Sequence, residues 1–423
     1  MNRRQFLATV TGASLGVASG IACASRANPR RWAAVRSLIE AYVANRKLAG
    51  VAVALSYNNA PISYLRVGRI AVDSPVPFDE DSLSRIYSMT KPVTGIAAMI
   101  LIDDGMLALD QPVAEILSEL RSLRVGINIP KNLESRPAQR TMTMRHLLTH
   151  TSGLGYWTPD SGTGPISTAY RERGITPGNI GSRLNRPGYG PQARNLTEMI
   201  ERVAELPLLF EPGTAWSYSI GLDAMGLVIE RVTGKGFDEF LRERLFEPLG
   251  MSSTSFQVAQ RDLARLTTNY EATAEGLKAT DDRRTSAWLH PPTLLAGGAG
   301  LISSARDFAR FGAMLLGDGA AGRVRILKPK TARLARSNLL PAGVRYAGGG
   351  FGAGGLVVES GGYTHLAPPG SFGFGGAAGT FWFIDPARGG NRVFMAQHMP
   401  PHPAAIREEV AAAIESDLKQ HHL

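Results

Sequence analysis

The stretch "IYSMTKPVTGIAAMI", Ile86 to Ile100, sets a serine, a lysine and a proline ahead of an apolar run. Residues three apart on a helix share a face, so the hydroxyl of Ser88 and the ammonium of Lys91 can meet. A free serine is a weak nucleophile and needs a base. Lysine serves as that base only when burial or a nearby cation lowers its pKa. Ile86, Met89 and Val93 supply the apolar flanks for such burial. Proline is tolerated only in a helix's first turn, because it has no N–H to donate. Pro92 therefore predicts a helix start close to Ser88, where free N–H groups and the positive end of the dipole can steady an oxyanion. The spacing alone recurs by chance in a chain of 423 residues, so it needs company.

Two later segments offer it. In "EPGTAWSYSIGLDAMG", Pro212-Gly213 predicts a turn, and Tyr218 precedes a helix beginning near Leu222. A tyrosine there can give or take a proton if Lys91 lowers its pKa; a packed aromatic with a satisfied hydroxyl is the competing reading. In "GSFGFGGAAGTFWFIDP", a strand entered by Gly375-Gly376 lets the backbone approach a ligand and presents the Ala377 N–H as an oxyanion donor. A plain glycine bulge is the alternative. Tyr156, Trp157 and Trp382 either line an acyl or alcohol pocket or pack the core. His150 reads as a structural turn residue rather than a triad member. His398 and His402 enclose Met-Pro-Pro, which breaks the helical face a His-x-x-x-His site would use, so no metal and no cofactor are assigned.

These side chains need elements to hold them. "VAVALSYNN" and "ISYLRVGRI" are rich in β-branched and aromatic residues, and the Asn-Asn-Ala-Pro between them predicts a hairpin. From Ser88 to about Gly317 helical patterns dominate; in "KPVTGIAAMILIDD" Val93, Ile96, Ala97, Ile100 and Leu101 share a face and Gly105 ends the helix. Residues 157–191 are Gly- and Pro-rich without a period, which predicts a long loop of the kind that often forms a binding lid. After about Leu340 strands return, and "AAIREEVAAAIESDL" closes the chain as a helix. The expectation is an α/β (α+β) fold: a discontinuous domain of 25–84 and 341–423 with a mainly helical domain, 85–340, inserted into it.

At 44% hydrophobic and 19% charged, the composition is that of a large soluble globular chain. Its body lacks the roughly 18 consecutive apolar residues of a membrane span. The N-terminus pairs Arg3 with Arg4 ahead of an uncharged small-residue run, which reads as a twin-arginine export signal over 1–24 and a periplasmic or secreted destination. Cleavage after Ala24 is expected, with lipidation of Cys23 as the alternative. Cys23 is the sole cysteine, so the cleaved chain would have no disulfide and no cysteine nucleophile. The net charge of +10 is densest in "GRVRILKPKTARLAR", which has no aromatic residue to stack on a base. A solvated helix and turn is the reading there, with no nucleic-acid partner.

Taken together and in this order, the motifs resemble the serine β-lactamase and penicillin-binding-protein superfamily, within it the class C-like branch that includes family VIII carboxylesterases. "SMTKPVTGIAAMILIDDGMLALDQPV" is similar to the nucleophile helix, "MTMRHLLTHTSGL" to the family's His-Thr-Ser-Gly-Leu turn, and Phe210 to Met251 to the tyrosine segment. The resemblance implies a β-lactamase/transpeptidase-like antiparallel sheet flanked by helices. It also implies Ser88 as acylated nucleophile, Lys91 as its partner and Tyr218 as general base or acid. The N–H groups of Ser88 and Ala377 would form the oxyanion hole, and Phe374, Gly375 and Gly376 would stand where penicillin-recognising members carry Lys-Thr-Gly. Ile220 replaces the Asn of a Tyr-x-Asn, and Phe374 replaces the lysine that would pair with a substrate carboxylate. An apolar group there suits a neutral ester, because an unpaired carboxylate is costly to bury. The expected function is a carboxylesterase on small esters. The rivals are β-lactamase or D-peptidase activity, and a non-catalytic envelope binder.

Overall fold

Asn58 and Asn59 both adopt positive φ (52° and 55°), which asparagine tolerates better than most residues. They turn strand β1 (Gly50–Ser56) back into β2 (Ser63–Gly68), and Ala60 N–H closes the turn on Tyr57 O at 3.0 Å. The chain is seen in a computed structural model that describes residues 31–157, 164–176, 189–346, 348–361, 365–399 and 405–421. Residues 1–24, read above as an export signal, with Cys23, residue His402 and much of 157–191 lie outside the described residues.

Five strands from the far end of the chain join this hairpin: β3 (Gly349–Phe351), β4 (Leu356–Val358), β5 (Phe372–Gly375), β6 (Phe381–Asp385) and β7 (Gly390–Met395). All neighbours are antiparallel, in the order β3-β4-β5-β6-β7-β1-β2. Five helices frame the sheet and the site: α1 (Ala33–Ala44), α2 (Thr90–Asp103), α3 (Gly221–Thr233), α4 (Ala305–Leu316) and α5 (Ile406–Gln420). Successive side chains of a strand point to opposite faces. Ala52 and Ala54 of β1 therefore join the core shared with α2, α3 and α4, while Val51, Val53 and Leu55 join a second core with α1 and α5. Covered on both sides, β1 is buried at every position. The expected α/β fold, an antiparallel sheet flanked by helices, holds.

Three local readings change. Helix α2 is not one-sided: every residue from Thr90 to Leu101 is buried, because the sheet, α3 and the Ala353-Gly354 turn surround it. A Cβ at Gly95 would overlap Ala353 O, so glycine lets that turn close on the helix. The span 157–191 is not a bare loop, since Pro165–Glu172 forms a short helix with Pro165 at its start and Ala169 and Tyr170 buried. The Gly375-Gly376 pair ends β5 rather than opening a strand, and residues 376–380 turn the chain into β6. Among the described residues, no helix is long and apolar enough to cross a membrane.

Candidate active site

Tyr87, Ser88 and Met89 form a single 3-10 turn that runs straight into α2, with Pro92 in that helix's first turn. Tyr87 takes φ 42°, a left-handed conformation that is rare for a bulky residue, and strain of this sort gathers at functional sites. The burial pattern singles out the next residue. Between Ser82 and Leu101 every residue is buried except Ser88.

Two polar groups meet the Ser88 hydroxyl. Lys91 Nζ lies 3.3 Å from Ser88 Oγ, and Tyr218 OH donates to the same oxygen at 2.8 Å. Lys91 also donates to Gly298 O at 2.7 Å, and its ammonium sits 4.5 Å from the Tyr218 ring centroid. Burial pushes Lys91 down to about 7, with the carboxyl of Asp223 opposing the fall. The phenol of Tyr218 moves the other way. Burial raises it well above its ordinary value, and the Ser88 hydrogen bond only partly offsets that. The condition set for Tyr218, a pKa lowered by Lys91, is not met: desolvation dominates, the Asp223 carboxyl adds to the rise, and Tyr218 is a neutral donor to Ser88.

His150 supports Tyr218 from behind. It sits at φ 58° in a turn, its ring stacks on the Tyr218 ring at 4.6 Å, and its Nδ1 pairs with the Ser219 hydroxyl at 2.9 Å. Burial holds the imidazole well below its usual pKa, so it is neutral. Its described contacts are with Tyr218, Ser219, Trp216 and Phe351 rather than with Ser88, which agrees with a turn residue.

The strand end closes the other side. A Cβ on Gly376 would overlap Ile86 O, so β5 ends directly against the backbone two residues before Ser88. Ala377 packs in the same cluster as Tyr87 and Trp288. Phe374 lies nearly parallel to Tyr218, with ring centroids 6.3 Å apart, and meets Phe351 edge-on at 5.9 Å. Arg407 Nη1 lies over Gly375, 3.0 Å from where a Cβ would stand. Tyr156 packs edge-on to Tyr218 at 4.7 Å and joins this wall. Trp157 instead packs against Tyr189 within the helical core. Trp382 is fully buried between β6 and α4, against Phe308, Phe311 and Phe372.

Three contributors escape a reading of the sequence. Trp216 packs at a tilt against Tyr346, with ring centroids 4.2 Å apart, and extends the aromatic wall. Asp223, in the first turn of α3, accepts from Gly298 N–H at 3.0 Å. The glycine-rich stretch "LLAGGAG", Leu294 to Gly300, delivers the Gly297 carbonyl to Thr94 Oγ1 at 2.7 Å as well as the Gly298 carbonyl to Lys91. Asp223 is readable as a lone charge in an apolar helix, but nothing in the sequence names its partner. A separate cavity of about 580 Å³, lined by Phe246, Met251 and Phe256, holds none of Ser88, Lys91 or Tyr218. Arg242 and Arg261 on its wall are paired with Glu247 and Asp262.

A buried helix head that exposes one serine to a lysine and a tyrosine, beside a sheet edge, is the arrangement of an acyl-transferring serine enzyme. The beta-lactamase family model matches residues 35–416, and the chain belongs to that family, whose related members are hydrolases and acyltransferases. Among its relatives, esterase EstB of Burkholderia gladioli is 32% identical over 362 residues, covering 81% of this chain and 84% of its own. Monacolin J acid methylbutanoyltransferase of Aspergillus terreus is 26% identical over 382 residues, covering 82% and 86%. The solved structure of EstCE1, a hydrolase with promiscuous acyltransferase activity, superposes with a TM-score of 0.73 at 23% identity, over 91% of this chain and 98% of that one, and shows the shared fold.

Proposed function

We propose that the protein is a carboxylesterase acting on small neutral esters through an acyl-Ser88 intermediate. The observation that carries this reading is the convergence of Lys91 Nζ and Tyr218 OH on Ser88 Oγ, at 3.3 and 2.8 Å. A lysine held at about 7 is substantially neutral at physiological pH and can take the serine proton as Oγ attacks the carbonyl. The Ser88 and Ala377 N–H groups are the proposed oxyanion donors; a single such donor is worth roughly 3 kcal/mol in known cases. Tyr218, a neutral phenol, gives its proton to the departing alcohol and regains one from the Lys91 ammonium. Water then attacks the acyl group, Lys91 and Tyr218 again carry the proton, and Ser88 is released.

Phe374, Phe351, Tyr156 and Trp216 make an aromatic wall beside Ser88, with Arg407 over Gly375 as the nearby cation; the apolar Phe374 ring favours a neutral ester over a carboxylate-bearing lactam or peptide. The esterase named among its relatives supports the same choice. The paired Arg3-Arg4 and the run behind it support an exported enzyme. The test is one assay of short-chain aryl esters beside nitrocefin, with Ser88→Ala as control. Ester turnover should exceed lactam turnover and fall about 10³-fold or more in the variant, at unchanged melting temperature. Equal ester turnover by Ser88→Ala would refute the nucleophile, and dominant nitrocefin turnover would refute the substrate class.

A further inference from the structure

We infer that Asp223 is a positioning residue of this site, holding the Lys91 amine against Ser88 through Gly298 and supplying the negative charge that amine faces. The inference rests on Ser88 and Lys91 being nucleophile and base. Asp223 is 1% exposed, in a helix that is buried and otherwise apolar from Gly221 to Ile229. An unheld carboxylate there is costly, so the bonds it makes matter. Its Oδ1 accepts from Gly298 N–H at 3.0 Å, and the carbonyl of the same residue accepts from Lys91 Nζ at 2.7 Å. Gly298 is thus gripped at both ends, by Asp223 on one side and Lys91 on the other. A side chain there would displace the carboxylate, since a Cβ would come within 2.7 Å of Asp223 Oδ2. That second oxygen has no hydrogen-bond partner among the described residues, so its charge is not absorbed by a local donor.

The other titratable groups around the pair are Tyr156 and Tyr218, whose phenols burial raises, and His150, whose imidazole burial lowers. All three are neutral near pH 7, which leaves Asp223 as the acidic group acting on Lys91; burial raises its carboxyl too, and Lys91 with the Gly298 and Asp223 N–H groups opposes that rise. The carboxylate favours the ammonium and burial disfavours it, and the amine settles between them.

Two variants separate the bond from the charge. Asp223→Asn keeps an oxygen acceptor for Gly298 N–H but carries no charge; Asp223→Ala removes both. The readout is the rate at which a fluorophosphonate probe labels Ser88, followed by intact mass across pH 5 to 10, which requires no knowledge of the natural ester. In the wild type the rate should rise through about 7. In Asp223→Asn the rise should move about one unit lower, because the charge that favoured the ammonium is gone, with a plateau within about threefold of wild type. In Asp223→Ala the plateau should fall about 100-fold, because the amine loses its fixed position. An Asn profile that coincides with wild type overturns the charge role even if the Ala protein fails to fold. An Ala plateau equal to wild type overturns the positioning role. Absence of labelling in the wild type refutes the nucleophile itself and this inference with it. Labelling without hydrolysis of any ester would retire the esterase reading alone.

Discussion

At Lys91 two opposing effects set the chemistry: burial drives its pKa down and Asp223 holds it up, leaving the amine near 7. With the neutral amine as the proposed base, kcat/KM should rise with pH through that value and level off above it. Lys91→Arg keeps a cation in place but cannot lose its proton, so its activity should stay flat from pH 5 to 10, with no rise near 7, and lie about 10³-fold below the wild-type plateau. A pH profile of aryl ester hydrolysis by both proteins checks this. Phe374 governs a different property. Its ring lies parallel to Tyr218, so Phe374→Lys would put an ammonium beside the hydroxyl-bearing ring and give a substrate carboxylate a partner. The ratio of nitrocefin to neutral-ester turnover should rise about tenfold or more in that variant, measured on one preparation. An unchanged ratio would mean that Phe374 does not read the substrate's charge.

The elements around the site work by close backbone approach, and glycines permit it. Gly376 brings the end of β5 against Ile86 O, and a methyl group there would also strike Thr380 Oγ1. Gly376→Ala should therefore push the strand end away from Ser88. The expected result is a loss of about 1–3 kcal/mol in stability and at least tenfold in kcat, read by melting temperature and ester turnover. This kind of contact also marks how far the sequence can be read. The start and stop of α2 are legible because Pro92 and Gly105 act locally, and the β1–β2 turn is legible because asparagine tolerates positive φ. Ser88, Lys91 and Tyr218 are legible as a chemical set, and their meeting is set by packing that brings the head of α3 beside α2. The grip on Gly298 is not legible, because "LLAGGAG" has no period and its partners lie 207 and 75 residues away. All-round burial of α2 is hidden for a similar reason. One apolar face is enough to predict the helix, and only the later return of the chain as α3, the helix Pro329–Ala335, the Ala353-Gly354 turn and β5 covers the rest.

Across the described molecule, the first and last helices are tied together on the sheet face opposite the Ser88 side. Helices α1 and α5 share that outer core with β1, and Asp417 near the end of α5 reaches the start of α1. Its carboxylate accepts from Ala34 N–H at 2.9 Å and Val35 N–H at 3.1 Å, a capping role that Trp32 at the helix N-cap does not fill. Two otherwise orphaned N–H groups are satisfied this way, and the negative charge also meets the positive end of the α1 dipole. A cap drawn from 383 residues away closes the sheet's outer layer as well as one helix. Asp417→Ala should cost about 1–2 kcal/mol, near the upper end for lost caps because the site is buried. In a chain of this size that is a fall of only a few degrees in melting temperature. The site lies across the sheet, so kcat of the folded variant should match wild type. Melting curves paired with ester turnover at low temperature would test both halves, and a selective loss of kcat would show that the outer layer bears on Ser88 after all.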